Sequence, residues 1–123
     1  MTMDEIISFI EEEMLSSFYF RMSGNEINRI VANQLRSLAI SDRQSLLDAL
    51  RQYLSFRVSP AQRQPEDAVR ESRLLLALDV AEHLQLCELK PDVESLLQAV
   101  RSGKALRPVH EKGVASYLQK FEE

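Results

Sequence analysis

Leu74-Leu75-Leu76-Ala77-Leu78-Asp79-Val80-Ala81-Glu82-His83-Leu84 is the stretch that decides the fold. Its apolar residues fall on nearly every face of a helix, so neighbours must cover it on all sides. That predicts a central helix over about residues 66–86, in a chain whose other segments supply the cover. Residues 59–65, Ser-Pro-Ala-Gln-Arg-Gln-Pro, precede it with two prolines and no apolar side chain larger than Ala. They predict an exposed connection inside a single domain spanning residues 1–123, because neither half alone holds enough apolar residues for its own core.

The covering segments are amphipathic. Ile6, Ile10, Met14 and Phe18 recur at four-residue spacing, with Ile7 and Leu15 widening the stripe, and predict a helix over residues 3–20. Ile27, Ile30, Val31, Leu35 and Leu38 mark a second helix, and Leu46, Leu47, Leu50, Tyr53 and Leu54 a third. Each opens on a Ser or Thr followed three residues later by Glu or Gln: Thr2 with Glu5, Ser23 with Glu26, Ser41 with Gln44. In such a box the hydroxyl accepts from one amide while the longer side chain accepts from another, satisfying two exposed donors of the first turn. Beyond the central helix, Pro91 opens a fifth through Val93, Leu96, Leu97 and Val100 to a stop at Ser102-Gly103. A sixth starts near Pro108 and carries Val109, Val114, Tyr117, Leu118 and Phe121, with Gly113 inside it marking either a weak point or a close approach. The fold class is therefore all-α, about six helices in antiparallel hairpins.

Composition agrees. Apolar residues make up 45% of the 123 and only three are Gly, which excludes a disordered chain and disfavours a turn-rich β protein. No apolar run reaches the ~20 residues that span a bilayer, no secretory signal opens the chain, and Cys87 is the sole cysteine, so no internal disulfide forms. Those features fit a cytoplasmic protein.

Residues 77–84 and the stretch Lys90-Pro91-Asp92-Val93-Glu94-Ser95-Leu96-Leu97 together resemble one unit of a HEAT-type helical repeat: a small-residue helix, a tight turn, and a second helix opening on Pro-Asp and closing on Leu-Leu. The resemblance covers about a quarter of the chain. It implies a short solenoid, which requires stacked copies. Residues 1–63 hold no second copy at a fixed period, so a compact bundle is the equal expectation. In size, acidity and helical style the chain is also similar to the small immunity proteins of bacterial contact-dependent growth inhibition, and that likeness implies a role in toxin neutralisation.

Charge divides unevenly. The net charge of -4 resolves into -4 over residues 1–22, +3 over 23–63 and -3 over 64–123. The acidic first segment, with Asp4, Glu5, Glu11, Glu12 and Glu13, forms either a solvated helix face or a patch that steers a basic protein partner. Phe18-Tyr19-Phe20 place three rings in succession where one helix stripe cannot bury all of them, and Tyr19 is the expected exposed anchor. The basic middle carries Arg29, Arg36, Arg43, Arg51, Arg57 and Arg63. Either it binds nucleic acid or, the favoured reading, it pairs with acids of the first or fourth helix.

Chemistry has little footing. His83 and Cys87 are four apart, with His110 as a third conceivable ligand, yet a zinc site needs four ligands in a recognisable spacing. The plain expectation for Cys87 is a buried thiol. No nucleophile elbow and no Gly-rich phosphate loop is present, so neither a catalytic site nor a cofactor is expected. The sequence reads as a non-catalytic protein-binding domain whose partner is a basic toxin or effector. A nucleic-acid-binding regulator and a secretion chaperone or adaptor are the alternatives.

Overall fold

The structure is a computed structural model that describes the backbone of residues 1–19 and 24–121, and the side chains among them except 13–19, 24, 25 and 27. Within those residues it is all-helical. Seven α-helices run in the order α1 (Met3–Tyr19), α2 (Gly24–Leu35), α3 (Leu38–Ser41), α4 (Arg43–Leu54), α5 (Asp67–His83), α6 (Lys90–Arg101) and α7 (Glu111–Lys120). Three 3-10 turns, Pro60–Gln62, Cys87–Leu89 and Pro108–His110, join the later helices.

The apolar run of α5 takes the central place its composition demands. Leu74, Leu76, Ala77, Leu78, Val80 and Ala81 are all buried, and α4, α2 and α7 pack around the helix. The rest follows as a second tier: α1 lies on α4 and α2, and α6 lies on α7 and α4. One continuous core joins Ile6 and Ile10 of α1 to Val114 and Tyr117 of α7. Buried alanines at 32, 49, 77 and 81 let helix axes come close where a larger side chain would hold them apart.

The first capping box forms as its sequence predicts. The Glu5 amide donates to Thr2 Oγ1 at 3.2 Å, and the Thr2 amide donates to Glu5 Oε1 at 3.3 Å. Thr2→Ala is expected to cost about 1 kcal/mol in thermal or urea unfolding, the usual loss when a capping hydroxyl is removed. Ser23, with which the second box would begin, lies outside the described residues. The third box does not form. Ser41 is the last residue of the one-turn helix α3, where its hydroxyl donates back to the Ser37 carbonyl at 3.2 Å, while Gln44 turns to Asp48 at 3.0 Å. Asp42, at φ -131° and ψ 44°, makes the break between α3 and α4 instead.

Helix ends explain the turn at 84–89. The amides of Leu86 and Gln85 donate to the carbonyls of Ala81 and Glu82, at 2.9 and 3.3 Å, the paired bonds of a Schellman stop. Gln85 occupies the left-handed position at φ 57°, where glycine is usual, because burial of Leu86 fixes the exit of the chain. At the end of α6 the same pairing uses Gly103 at φ 72°, with the Lys104 amide 2.8 Å from the Ala99 carbonyl. Gly113 has no such reason. A Cβ added there meets nothing within 4 Å, so close packing is not why this glycine stands in α7. Gly113→Ala is therefore expected to raise stability by about 0.5–1 kcal/mol, read as a higher urea midpoint at unchanged slope.

Val109 departs from expectation. It lies in the 3-10 turn ahead of α7 and is 74% exposed instead of joining the apolar stripe.

Candidate protein-binding surface

Four of the five acidic residues of α1 share a face. At about 100° per residue, Asp4, Glu5, Ser8, Glu11 and Glu12 fall within roughly a third of the helix circumference, away from the buried Ile6 and Ile10. Asp4, Glu5 and Glu12 are exposed, although Glu5 is committed to the cap with Thr2. Glu11 is half-buried at the edge, 3.4 Å from Arg73 of α5 and within 3.4 Å of the Tyr53 hydroxyl, which donates to it. Burial, reinforced by the Glu11 charge, pushes the Tyr53 phenol up to about 12, so it stays a donor at neutral pH. Among the described residues, Asp4 and Glu12 meet no cation. The side chains of Glu13 and Tyr19 lie outside the described residues.

Four of the six central arginines are spent within the molecule, while Arg29 and Arg36 are exposed and meet no carboxylate among the described residues. Arg43 makes a two-pronged contact with Glu88, one prong being Nη2 to Oε1 at 2.7 Å. That guanidinium holds the Glu88 carboxyl down to about 2. Arg51 bridges Asp48 at 3.4 Å and Asp92 at 3.2 Å, Arg57 caps the Leu54 carbonyl at 2.6 Å, and Arg63 pairs with Glu71 at 2.9 Å. Their acidic partners thus lie in α4, α5, α6 and the 87–89 turn. Of the two helices expected to supply the acids, the central one does so through Glu71, which takes Arg63, whereas no described α1 carboxylate pairs with this group. Among the described residues only Arg73, outside that central group, reaches an α1 carboxylate.

Compared with protein families, curated proteins and solved structures, the chain matches none. Geometry alone therefore grades the remaining candidates.

The His83, Cys87 and His110 set does not assemble. Because α5 stops at His83 and the chain turns, Cys87 leaves the helix face that His83 occupies. Cys87 is exposed instead of buried, with its thiol 3.5 Å from Glu88 Oε1. His110 sits 3.2 Å from Glu71 Oε1 in the first half of α5, whereas His83 ends that helix. Among the described residues no three His, Cys, Asp or Glu side chains stand close enough to hold a metal ion. Tyr117 and Phe121 belong to the interior: their rings are 4.7 Å apart, and the Tyr117 hydroxyl donates to the Leu86 carbonyl at 2.5 Å.

Two polar arrangements escape sequence reading. The first is Glu71, 6% exposed, whose carboxylate takes Arg63, Arg107 at 3.0 Å and His110. Burial works to raise its pKa, but the hydrogen bonds from Arg63 and Arg107 prevail and hold it below the ordinary carboxylate value. The second is a cleft of about 220 Å³ between α2, α5 and α7, lined by Asn28, Arg29, Asp79, Glu82, His83 and Lys120. There Asn28 Nδ2 donates to Asp79 at 2.5 Å, while Lys120 at 3.0 Å and the Ser116 hydroxyl at 3.1 Å hold Glu82. Burial raises the Asp79 pKa despite the Asn28 bond. Each carboxylate in the cleft already has a partner from another helix, so the cleft serves to join α2 and α7 to α5.

Proposed function

We propose that this chain is a non-catalytic binding domain that neutralises a basic toxin or effector by covering its active cleft, acting in the cytoplasm like the small immunity proteins it resembles. The observation that carries the reading is the outward face of α1, where Asp4 and Glu12 stand exposed beside Glu5 and meet no cation among the described residues. Exposed carboxylates along a rigid helix steer a cationic surface into register and need supply no chemistry of their own. The arginines support a protein partner over nucleic acid, because Arg43, Arg51 and Arg63 are held by carboxylates that a phosphate backbone would have to displace. No described helix is long and apolar enough to cross a membrane.

A pull-down with wild type and with the Asp4→Lys, Glu12→Lys double variant, at low and high salt, tests the proposal. Wild type is expected to recover a basic protein at low salt, with the variant about tenfold to a hundredfold weaker, chiefly in association rate. Adding the chain should abolish the partner's activity at one-to-one stoichiometry. A partner that binds both forms equally well, or keeps full activity in the complex as a chaperone's client would, overturns the reading.

A further inference from the structure

A groove of about 330 Å³ opens between α1, α4 and α5, lined by Ile7, Gln52, Tyr53, Phe56, Arg70 and Arg73. Its apolar part comes from three different elements: Ile7 from α1, Tyr53 from α4, and Phe56 just beyond the end of α4. All three are only half-buried, so the core leaves them partly uncovered. The polar edge is cationic. Arg70 is exposed and meets no carboxylate among the described residues, while Arg73 is only partly answered by Glu11 at 3.4 Å. Among the described residues, two guanidiniums against one carboxylate leave one net positive charge at the edge of an apolar trough.

We infer that this groove binds a small amphipathic monocarboxylate, its ring or short alkyl chain lying on Ile7, Tyr53 and Phe56 and its carboxylate received by Arg70 and Arg73. Size supports a compact ligand, since the volume is at the lower end of the ~300–1,000 Å³ typical of small-molecule pockets. Charge specifies a monoanion, because a second negative group would face Glu11. Arginine is well matched to such a ligand, since its planar fork meets a carboxylate in two parallel hydrogen bonds. The groove meets the acidic face of α1 only at Glu11, and the proposed function rests on Asp4 and Glu12, so the inference stands or falls separately from it.

The experiment titrates the full chain with 3-phenylpropionate and with its neutral isostere 3-phenylpropanamide, following amide resonances of residues 52–56 and 70–73 by NMR. The acid is expected to saturate one site at millimolar concentration or below, with the amide about tenfold weaker for want of a charged hydrogen bond. Arg70→Glu, at an exposed position that leaves the core intact, should weaken the acid at least about tenfold and leave the amide unchanged. Glu11→Gln removes the competing negative charge and should tighten the acid by about threefold. Equal affinity for acid and amide, retention of affinity in Arg70→Glu, loss of it in Glu11→Gln, or no saturation by about 20 mM, well above that expected range, overturns the inference.

Discussion

Glu71→Gln is expected to cost about 2–3 kcal/mol in urea unfolding, a large effect for a substitution that keeps the side chain's shape. The carboxylate is 6% exposed and is the meeting point of Arg63, Arg107 and His110. Removing its charge leaves two guanidiniums facing a neutral amide. The cost stays below that of a fully buried pair because the Arg63 and Arg107 side chains are 30% and 52% exposed and regain water. Position makes the effect local as well as global. Arg63 belongs to the 59–65 connection and Arg107 to the segment after α6, so one carboxylate fastens two loops to α5. Amide exchange in residues 59–65 and 104–110 should therefore accelerate in the variant more than exchange within α5.

The same carboxylate makes stability fall in acid. A carboxyl whose folded pKa is depressed binds protons more readily once unfolded, so it contributes stability above its unfolded pKa and loses it as pH falls through the folded value. Glu71 acts this way, and so does Glu88, whose folded pKa is about 2 against an ordinary 4.5. Asp79 has the opposite sign, since its raised pKa returns some stability as it protonates. Glu88 is a surface group with a modest share, leaving Glu71 as the main acid-sensitive contact. The urea midpoint of wild type is expected to decline below about pH 4.5. In Glu71→Gln that decline should be shallower.

How much of this was legible depends on what each signal is made of. Burial is written in periodicity, which is why Ile6, Ile10, Leu46, Leu50, Val93 and Leu96 all appear in the core from spacing alone. Caps are less secure, because a hydroxyl has competing acceptors. Thr2 found its amide, whereas Ser41 bonded back to Ser37 once Asp42 took the break. Long-range charge pairing carries no local pattern at all. Arg51 reaches Asp92 across 41 positions and Arg107 reaches Glu71 across 36, distances along the chain that no window spans. One signal was present for Glu71: it stands three before Leu74 and seven before Leu78, on the stripe that faces inward. An acid on a core stripe needs a cation, and Arg63 was eight residues away. On α1, Asp4, Glu5 and Glu12 are exposed, but nothing in the sequence revealed that Glu11 is shared with Tyr53 and Arg73. The arginine-edged groove beside it had no sequence signature, since α1, α4 and α5 meet only in three dimensions.

Leu76→Ala is expected to be the most damaging single truncation, at about 3–5 kcal/mol by urea or thermal unfolding. Its side chain is fully buried in the helix that α2, α4 and α7 all contact. The cost of a truncated leucine depends on how far the surroundings can close the void. An edge helix can slide inward over a cavity, but α5 is held from several sides. Any neighbour that moved in to fill the gap would have to give up contact elsewhere along the same helix. Ile40→Ala provides the contrast, being 87% exposed on the one-turn helix α3, and should change stability by no more than about 0.5 kcal/mol. If Leu76→Ala cost as little as Ile40→Ala, α5 would not be the element around which the chain folds, and its apolar run would have some other cause than burial.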